Sequence, residues 1–122
     1  MTGSLRLRVC QVTLLLAATL YGSHAVSYSV LTHEELLDLV WNESIRPFLL
    51  ARFPGATEGQ RHEAHAYAYG GSAIQDMGYY PFGKKLFSNL THYVRTPDFI
   101  SCLFRNARSI DEYAFAIGAL SH

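Results

Sequence analysis

Apolar residues recur at intervals of three and four along most of the chain, which is the spacing of one helix face. A first helix is predicted from Thr32, where a capping box with Glu35 precedes an apolar run that ends near Trp41. The helical pattern continues over residues 43–52 and stops at Pro54-Gly55, a typical chain break.

A third helix is predicted from Thr57 to about Asp76. It contains the pair Gly70-Gly71, and each glycine lowers helix propensity by about 1 kcal/mol relative to alanine. Such a pair is tolerated where another backbone or a ligand passes close by. An aromatic turn follows over residues 77–83, and the helical pattern returns over residues 84–94.

Two start signals mark the last helices. Thr96 followed by Pro97 suits an N-cap with proline in the first turn, and that helix is predicted to reach about Arg108. Ser109 and Glu112 form a second capping box, from which the last helix begins. Strand alternation is nowhere convincing, so the predicted fold is all-α with five or six helices.

The N-terminal segment has a different pattern, with Arg6 and Arg8 ahead of an apolar stretch and small residues after it. The apolar stretch, residues 9–21, is shorter than the roughly 20 residues that span a bilayer. Residues 1–27 are therefore predicted to be a secretory signal peptide. An uncleaved anchor or a buried helix is the alternative.

Two cleavage points fit the small residues at the end of this segment. Cleavage after Ala25 leaves Val26 first, and cleavage after Ser27 leaves Tyr28 first. Either route predicts a secreted or periplasmic protein whose mature domain begins near residue 28.

The composition of the chain excludes several classes of protein. The chain has 122 residues, enough for one domain, and its 10 basic and 10 acidic residues give no net charge. It therefore lacks the basic track of an electrostatic nucleic-acid binder. The 49% of hydrophobic residues excludes a disordered chain, and two cysteines exclude a disulfide scaffold. Cys102, the one cysteine beyond the signal peptide, is expected to be buried in apolar surroundings.

Several groups qualify as zinc ligands, because zinc accepts imidazole nitrogen and carboxylate oxygen. Residues on successive helices can converge in the core of a bundle, although each histidine alone is more commonly an ordinary surface or core residue. The candidates are the mature N-terminus, His33, Asp76, His92 and His122.

The pair His62 and His65 looks at first like a zinc-protease motif. The second histidine comes three positions after the first instead of four, so the His-Glu-x-x-His pattern is absent. A histidine pair at this spacing can still chelate a metal, but a polar helix face is the favoured interpretation.

Four segments together resemble zinc-dependent phospholipases C and the related S1/P1-type nucleases. In those enzymes an aromatic residue, usually Trp, becomes the N-terminus and a histidine follows five positions later, as His33 follows Tyr28 here. Residues 70–81 are similar to the segment that carries the metal-bridging aspartate. Residues 88–93 resemble the segment with the next ligand histidine, and residues 114–122 the helix with a His-x-x-x-Asp pair.

The resemblance implies an all-α fold that holds up to three zinc ions near a phosphodiester. Asp76, His92 and His122 would share one zinc, and the amine and carbonyl of Tyr28 would hold another with His33. Asp76 would also orient the attacking water or act as general base. Zinc lowers the pKa of a bound water toward about 7, which supplies hydroxide at neutral pH.

Three functions remain open. Phospholipase C-type cleavage of phospholipid headgroups, with contact at a membrane surface, is favoured because a neutral chain suits a small anionic group better than a long polyanion. The alternatives are an S1/P1-like nuclease and a non-catalytic exported helical module. The sequence ends at His122 within an apolar helix, before the later metal ligands of the family. We therefore expect a fragment of a longer enzyme, or a truncated product with little activity. The oligomeric state is left open.

Overall fold

Regular structure in the protein is entirely helical within the part that can be described. The computed structural model describes residues 30–122, so the predicted signal peptide, both cleavage points and Tyr28 lie outside the described residues. No strand occurs in residues 30–122, which confirms the all-α prediction. In the same range, none of the helices is both long and apolar enough to cross a membrane.

Two helices joined by a wider turn open the described chain. Helix α1 covers residues 30–40, passes into a π-helical turn at Trp41–Ile45, and continues as α2 at Arg46–Arg52. The predicted helix start at Thr32 is wrong, because the backbone is already helical at residue 30. The Thr-x-x-Glu spacing fits one turn inside a helix as well as its start. The break at Pro54-Gly55 is confirmed, since α2 ends at Arg52.

Helix α3, Glu58–Ala73, begins directly after Thr57, the predicted start, which is its N-cap. The Thr57 hydroxyl accepts a hydrogen bond from the backbone N–H of Gln60 at 3.3 Å, and the Gln60 side chain accepts one from the Thr57 N–H at 2.9 Å. This reciprocal pair satisfies donors that the first helical turn leaves free. The chain then tightens into a 3₁₀ turn at Ile74–Tyr79.

Helix α4, Lys85–Asn89, follows the aromatic turn and passes into a second π-helical turn at Leu90–Val94. Helix α5 is Thr96–Asn106. Thr96 does not cap this helix as predicted, because its hydroxyl donates instead to the carbonyl of His92 at 2.8 Å. That local bond competes with capping.

Helix α6, Ile110–Ser121, starts at the predicted second capping box. The Ser109 hydroxyl accepts from the Glu112 N–H at 3.2 Å, and the Glu112 carboxylate accepts from the N–H groups of Arg108 and Ser109. These backbone donors hold the pKa of Glu112 below its ordinary value.

Helices α3 and α6 pack almost backbone to backbone, and glycine makes this possible. A Cβ added at Gly71 would lie 2.0 Å from the carbonyl oxygen of Phe115, and one at Gly118 would lie 1.9 Å from that of Ala68. The sequence expectation for a backbone passing close by therefore holds at Gly71. At Gly70 an added Cβ would meet only the Phe115 ring, at 3.7 Å.

The core lies where α1 and α2 cover this helix pair. Its buried members are all apolar and come from these four helices and the first π-helical turn: Leu37, Trp41, Ile45, Leu49, Ala64, Ala68, Ile110 and Ala114. Cys102 does not join them. It is exposed on α5, so its predicted burial is wrong. On α5 the buried residue is Ile100, not Cys102.

Candidate metal centre

Three histidines surround Asp76, each from a different element. His92 Nε2 lies 3.2 Å and His122 Nε2 3.7 Å from Asp76 Oδ1, while His33 Nε2 lies 3.8 Å from Oδ2. His33 is on α1, Asp76 in the 3₁₀ turn, His92 in the second π-helical turn, and His122 follows α6. The four described candidates of the sequence therefore come together.

His92 and His122 are both oriented by backbone carbonyls. His92 Nδ1 lies 2.7 Å from the carbonyl oxygen of Ser88, and His122 Nδ1 lies 2.7 Å from that of Ser72. A carbonyl can only accept, so each Nδ1 carries the proton and donates it. In the neutral form of both rings the lone pairs are therefore on the two Nε2 atoms, which face each other at 2.7 Å.

This arrangement fits a cation. Two nitrogen lone pairs and a carboxylate oxygen that converge on one point repel one another unless a proton or a metal cation lies between them. Two ligands of a tetrahedral zinc at 2.0–2.1 Å stand about 3.3 Å apart, so small shifts would open the cluster to that spacing. Metal-binding histidines also commonly donate their other N–H to a carbonyl, as here.

His33 shares this environment from the other side of Asp76. Its ring lies 4.4 Å from that of His122. Burial and the neighbouring His122 lower the pKa of His33, against the opposing effect of the Asp76 carboxylate. A lowered pKa favours the neutral imidazole, which is the form that binds a metal. Ligand atoms of His33, Asp76 and His122 all lie within 4.8 Å of one another.

Two buried hydrogen bonds tie the Asp76 segment to the His92 segment. The Gln75 side-chain amide donates to the carbonyl of Thr91 at 3.1 Å, and the Gly78 N–H donates to the Ser88 hydroxyl at 2.8 Å. Sequence reasoning missed these supporting residues, and it missed the carbonyl of Ser72. The available signal was spacing, because Ser88 precedes His92 by one helical turn.

Comparison with known proteins assigns the chain to a family. A model of the zinc-dependent phospholipase C family matches residues 32–122, which is most of the chain. The chain belongs to the zinc-dependent phospholipase C family. No curated protein and no solved structure matches it in the corresponding searches.

Membership in the phospholipase C family confirms the suspected resemblance and makes zinc the expected cofactor of this domain. All four clustered residues, His33, Asp76, His92 and His122, lie within the matched range. Tyr28 lies outside both the matched and the described residues, so its ligand role stays a prediction.

A second histidine–aspartate cluster lies elsewhere in this phospholipase C domain, between α1 and α3. His65 Nε2 lies 3.0 Å from Asp38 Oδ1, and the Tyr69 hydroxyl donates to the same oxygen. The His65 ring stacks on Trp41 with ring centroids 3.9 Å apart. His62 is exposed, as a polar helix face requires. His65 is partly buried, so the polar-face prediction is wrong for that residue.

Proposed function

We propose that this protein is a zinc-dependent phosphodiester hydrolase that cleaves phospholipids in the manner of phospholipase C. The observation that carries the proposal is the convergence of His92 Nε2 and His122 Nε2 on Asp76 Oδ1, within a domain of that family. A site of this kind suits a phosphodiester, because the substrate brings the negative charge and the metal ions offset it.

In this proposal Asp76, His92 and His122 would together hold one zinc, and His33 with the amine and carbonyl of Tyr28 would hold another close to the Asp76 carboxylate. The support is geometric, since the two carboxylate oxygens already face different histidines. When bound, zinc acidifies water at the site and polarises the phosphoryl group.

The residues themselves contribute orientation and proton transfer. The carbonyls of Ser72 and Ser88 fix two imidazoles so that their Nε2 atoms stay available. The Asp76 side chain is 24% exposed, so substrate and water can reach it. We propose that its carboxylate orients the attacking water and accepts a proton from it.

The direct test uses the zinc-loaded protein with phosphatidylcholine and, separately, single-stranded DNA. Release of phosphocholine is expected, and Asp76→Asn should lose both zinc and turnover. Asp38→Asn is the matched control, because Asp38 also contacts a histidine but lies in the second cluster. Zinc content and turnover unchanged in Asp76→Asn would remove Asp76 from the site. Cleavage of DNA alone would support the nuclease alternative. Absence of turnover with either substrate would support the alternative of a non-catalytic helical module.

We also propose that the protein is exported and that residues 1–27 are removed. The basic, apolar and small-residue order of this segment supports the proposal. N-terminal sequencing of the secreted protein should find Tyr28 or Val26 first. Retention of Met1 in the secreted protein would exclude cleavage, and with it the Tyr28 amine as a ligand.

A further inference from the structure

A strongly apolar surface lies beside the metal centre. Eight large apolar side chains are exposed between Met77 and Val94, and we call this surface the apolar rim: Met77, Tyr79, Phe82, Leu86, Phe87, Leu90, Tyr93 and Val94. Phe82 is fully exposed, and Leu86 and Tyr93 are 69% and 78% exposed. Such a concentration of exposed apolar area marks an interaction surface.

Phe82 is held at the tip of this surface at a conformational cost. The Gly83 N–H donates to the Tyr80 carbonyl at 2.9 Å, which closes a β-turn with Pro81 and Phe82 at its centre. Phe82 has a φ of 69°, in the left-handed region that such turns usually give to glycine. A bulky residue in this conformation costs about 1–2 kcal/mol, and an outlier of this kind points to a function.

The same segment is cationic in a chain with no net charge. Lys84 and Lys85, the only two lysines of the sequence, lie between Phe82 and Leu86, and Arg95 follows Val94. No acidic residue occurs between Asp76 and Asp98. Apolar side chains beside such cations match a phospholipid surface, with an acyl layer beneath anionic phosphates.

The apolar rim is continuous with the metal centre. The Tyr79 ring lies 5.6 Å and the Tyr93 ring 5.4 Å from the ring of His92. The Tyr79 hydroxyl donates to Asn89 at 2.9 Å, which holds the 3₁₀ turn against the end of α4. A surface that engaged the rim would therefore lie next to Asp76 and His92.

We propose that the apolar rim docks this domain onto a phospholipid bilayer that contains anionic lipids. Phe82 enters the apolar layer, and Lys84 and Lys85 lie at the phosphate level. The identity of that bilayer as substrate rests on the proposed function, but the docking itself does not require turnover. A second copy of the chain is the weaker occupant, since a symmetric dimer through this face would bring the same cations together.

The test measures vesicle binding by energy transfer from Trp41, the single tryptophan, to a dansyl lipid. Stopped-flow mixing of the zinc-loaded protein reads binding before hydrolysis. Phosphatidylcholine vesicles with added phosphatidylserine should bind more tightly than phosphatidylcholine alone, and salt should weaken the binding. Equal binding to both vesicles would overturn the role of the lysines.

Phe82→Gly is the sharpest variant, because it removes the apolar tip and relieves the left-handed strain together. Binding should weaken about tenfold or more, the value of burying a phenylalanine ring, while thermal stability stays the same or rises. Lys84→Gln and Lys85→Gln should each weaken binding about fivefold. Leu39→Ala and Arg105→Gln are matched controls, since both side chains are exposed outside the rim, and they should bind as the unmodified chain does.

Two further readouts separate the possible outcomes. Vesicles should protect Lys84 and Lys85 from acetylation, and a soluble short-chain phosphatidylcholine tests turnover without docking. Vesicle binding that depends on Phe82, without turnover of the soluble lipid, would refute the proposed function but support docking through the apolar rim. If the soluble lipid is turned over and Phe82→Gly binds vesicles as tightly as the unmodified chain, docking through the apolar rim would be refuted. Self-association lost in Phe82→Gly, without vesicle binding, would assign the surface to a second copy.

Discussion

The two histidine–aspartate clusters of this domain use the same side chains in opposite ways. Around Asp76, backbone carbonyls occupy the Nδ1 atoms of His92 and His122 and leave both Nε2 atoms facing the carboxylate. Around Asp38, one carboxylate oxygen accepts a hydrogen bond from the Tyr69 hydroxyl and lies 3.0 Å from His65 Nε2.

The two clusters differ in which atoms face one another once the local hydrogen bonds are made. The Asp76 cluster has several acceptors aimed at one point, and a positive charge is needed to hold them together. In the Asp38 cluster, the carboxylate oxygen already accepts from the Tyr69 hydroxyl, and the imidazole beside it stacks on Trp41. Histidine lies close to aspartate in both clusters. What distinguishes the candidate metal centre from the helix-to-helix contact is that backbone carbonyls fix several acceptors so that they converge.

The largest expected effect separates the clusters by zinc affinity. His122→Ala should weaken zinc binding by more than the roughly 10- to 100-fold that loss of an outer partner causes, because it removes a direct ligand of the proposed site. His65→Ala should leave zinc affinity unchanged and lower stability by about 1 kcal/mol through the lost stacking on Trp41. Zinc titration by calorimetry measures the first effect and thermal unfolding the second.

The opposite result would assign the metal to the other cluster. If His65→Ala loses zinc while His122→Ala keeps it, the metal lies in the Asp38 cluster and the comparison is reversed. The folded state of each variant is checked by its helical circular dichroism before zinc is added.

A second prediction concerns the packing that brings His122 to the centre. Gly71→Ala would drive a Cβ into the Phe115 carbonyl, so α6 must shift, and we expect a loss of about 1–3 kcal/mol of stability together with weaker zinc binding. Gly70→Ala is the matched control. Its Cβ would make an ordinary contact with the Phe115 ring, and the gain in helix propensity should add up to about 1 kcal/mol.

Thermal unfolding and zinc titration of both variants decide this point. Equal stability of the two would show that α3 and α6 can separate without cost. In that case the close glycine contact does not position His122.

The elements that local chemistry specifies could be predicted from sequence. The helix start at Thr57, the capping box at Ser109 and the break at Pro54-Gly55 depend on signals within a few residues, and all three are confirmed. The start at Thr32 was wrong because the same spacing also occurs inside helices. The π-helical turns were missed, since no local pattern distinguishes them from α-helix.

Residue spacing alone could not predict the candidate metal centre. His33 and His122 are 89 positions apart. Ligand chemistry made both of them candidates, but only the family resemblance assigned them to particular metal positions. The carbonyls that orient His92 and His122 carry no side-chain signal. For His65, the polar-face interpretation failed because its neighbour Trp41 comes from another element. Tertiary contacts of this kind are not encoded in a local window.

A third, smaller effect tests the Asp38 cluster by pH. Burial, together with the hydrogen bond to Asp38, raises the pKa of Tyr69 from 10.0 to about 12. The folded state therefore keeps the phenol proton where the unfolded chain loses it. The resulting stabilisation is complete below pH 10 and is lost as pH rises toward 12.

Asp38→Asn removes the carboxylate and should lower the pKa of Tyr69, so the alkaline loss of stability becomes smaller. Ultraviolet difference titration follows the phenol, with Tyr69→Phe to assign the signal. An unchanged titration in Asp38→Asn would show that burial alone raises the pKa, and the Asp38 cluster would then lack its central acceptor.

The smallest expected effect is that of Cys102→Ser. Cys102 is exposed on α5 and accepts a contact from the Asn106 amide at 3.3 Å, and it belongs to neither cluster. Serine keeps a polar acceptor at that position, so zinc content, turnover and stability should all match those of the unmodified protein within about 0.5 kcal/mol. Loss of zinc from a folded Cys102→Ser protein would show that the thiol is a ligand. A thiol ligand would contradict a metal centre built from histidine and aspartate alone, and the distinction between the two clusters would no longer account for where zinc binds.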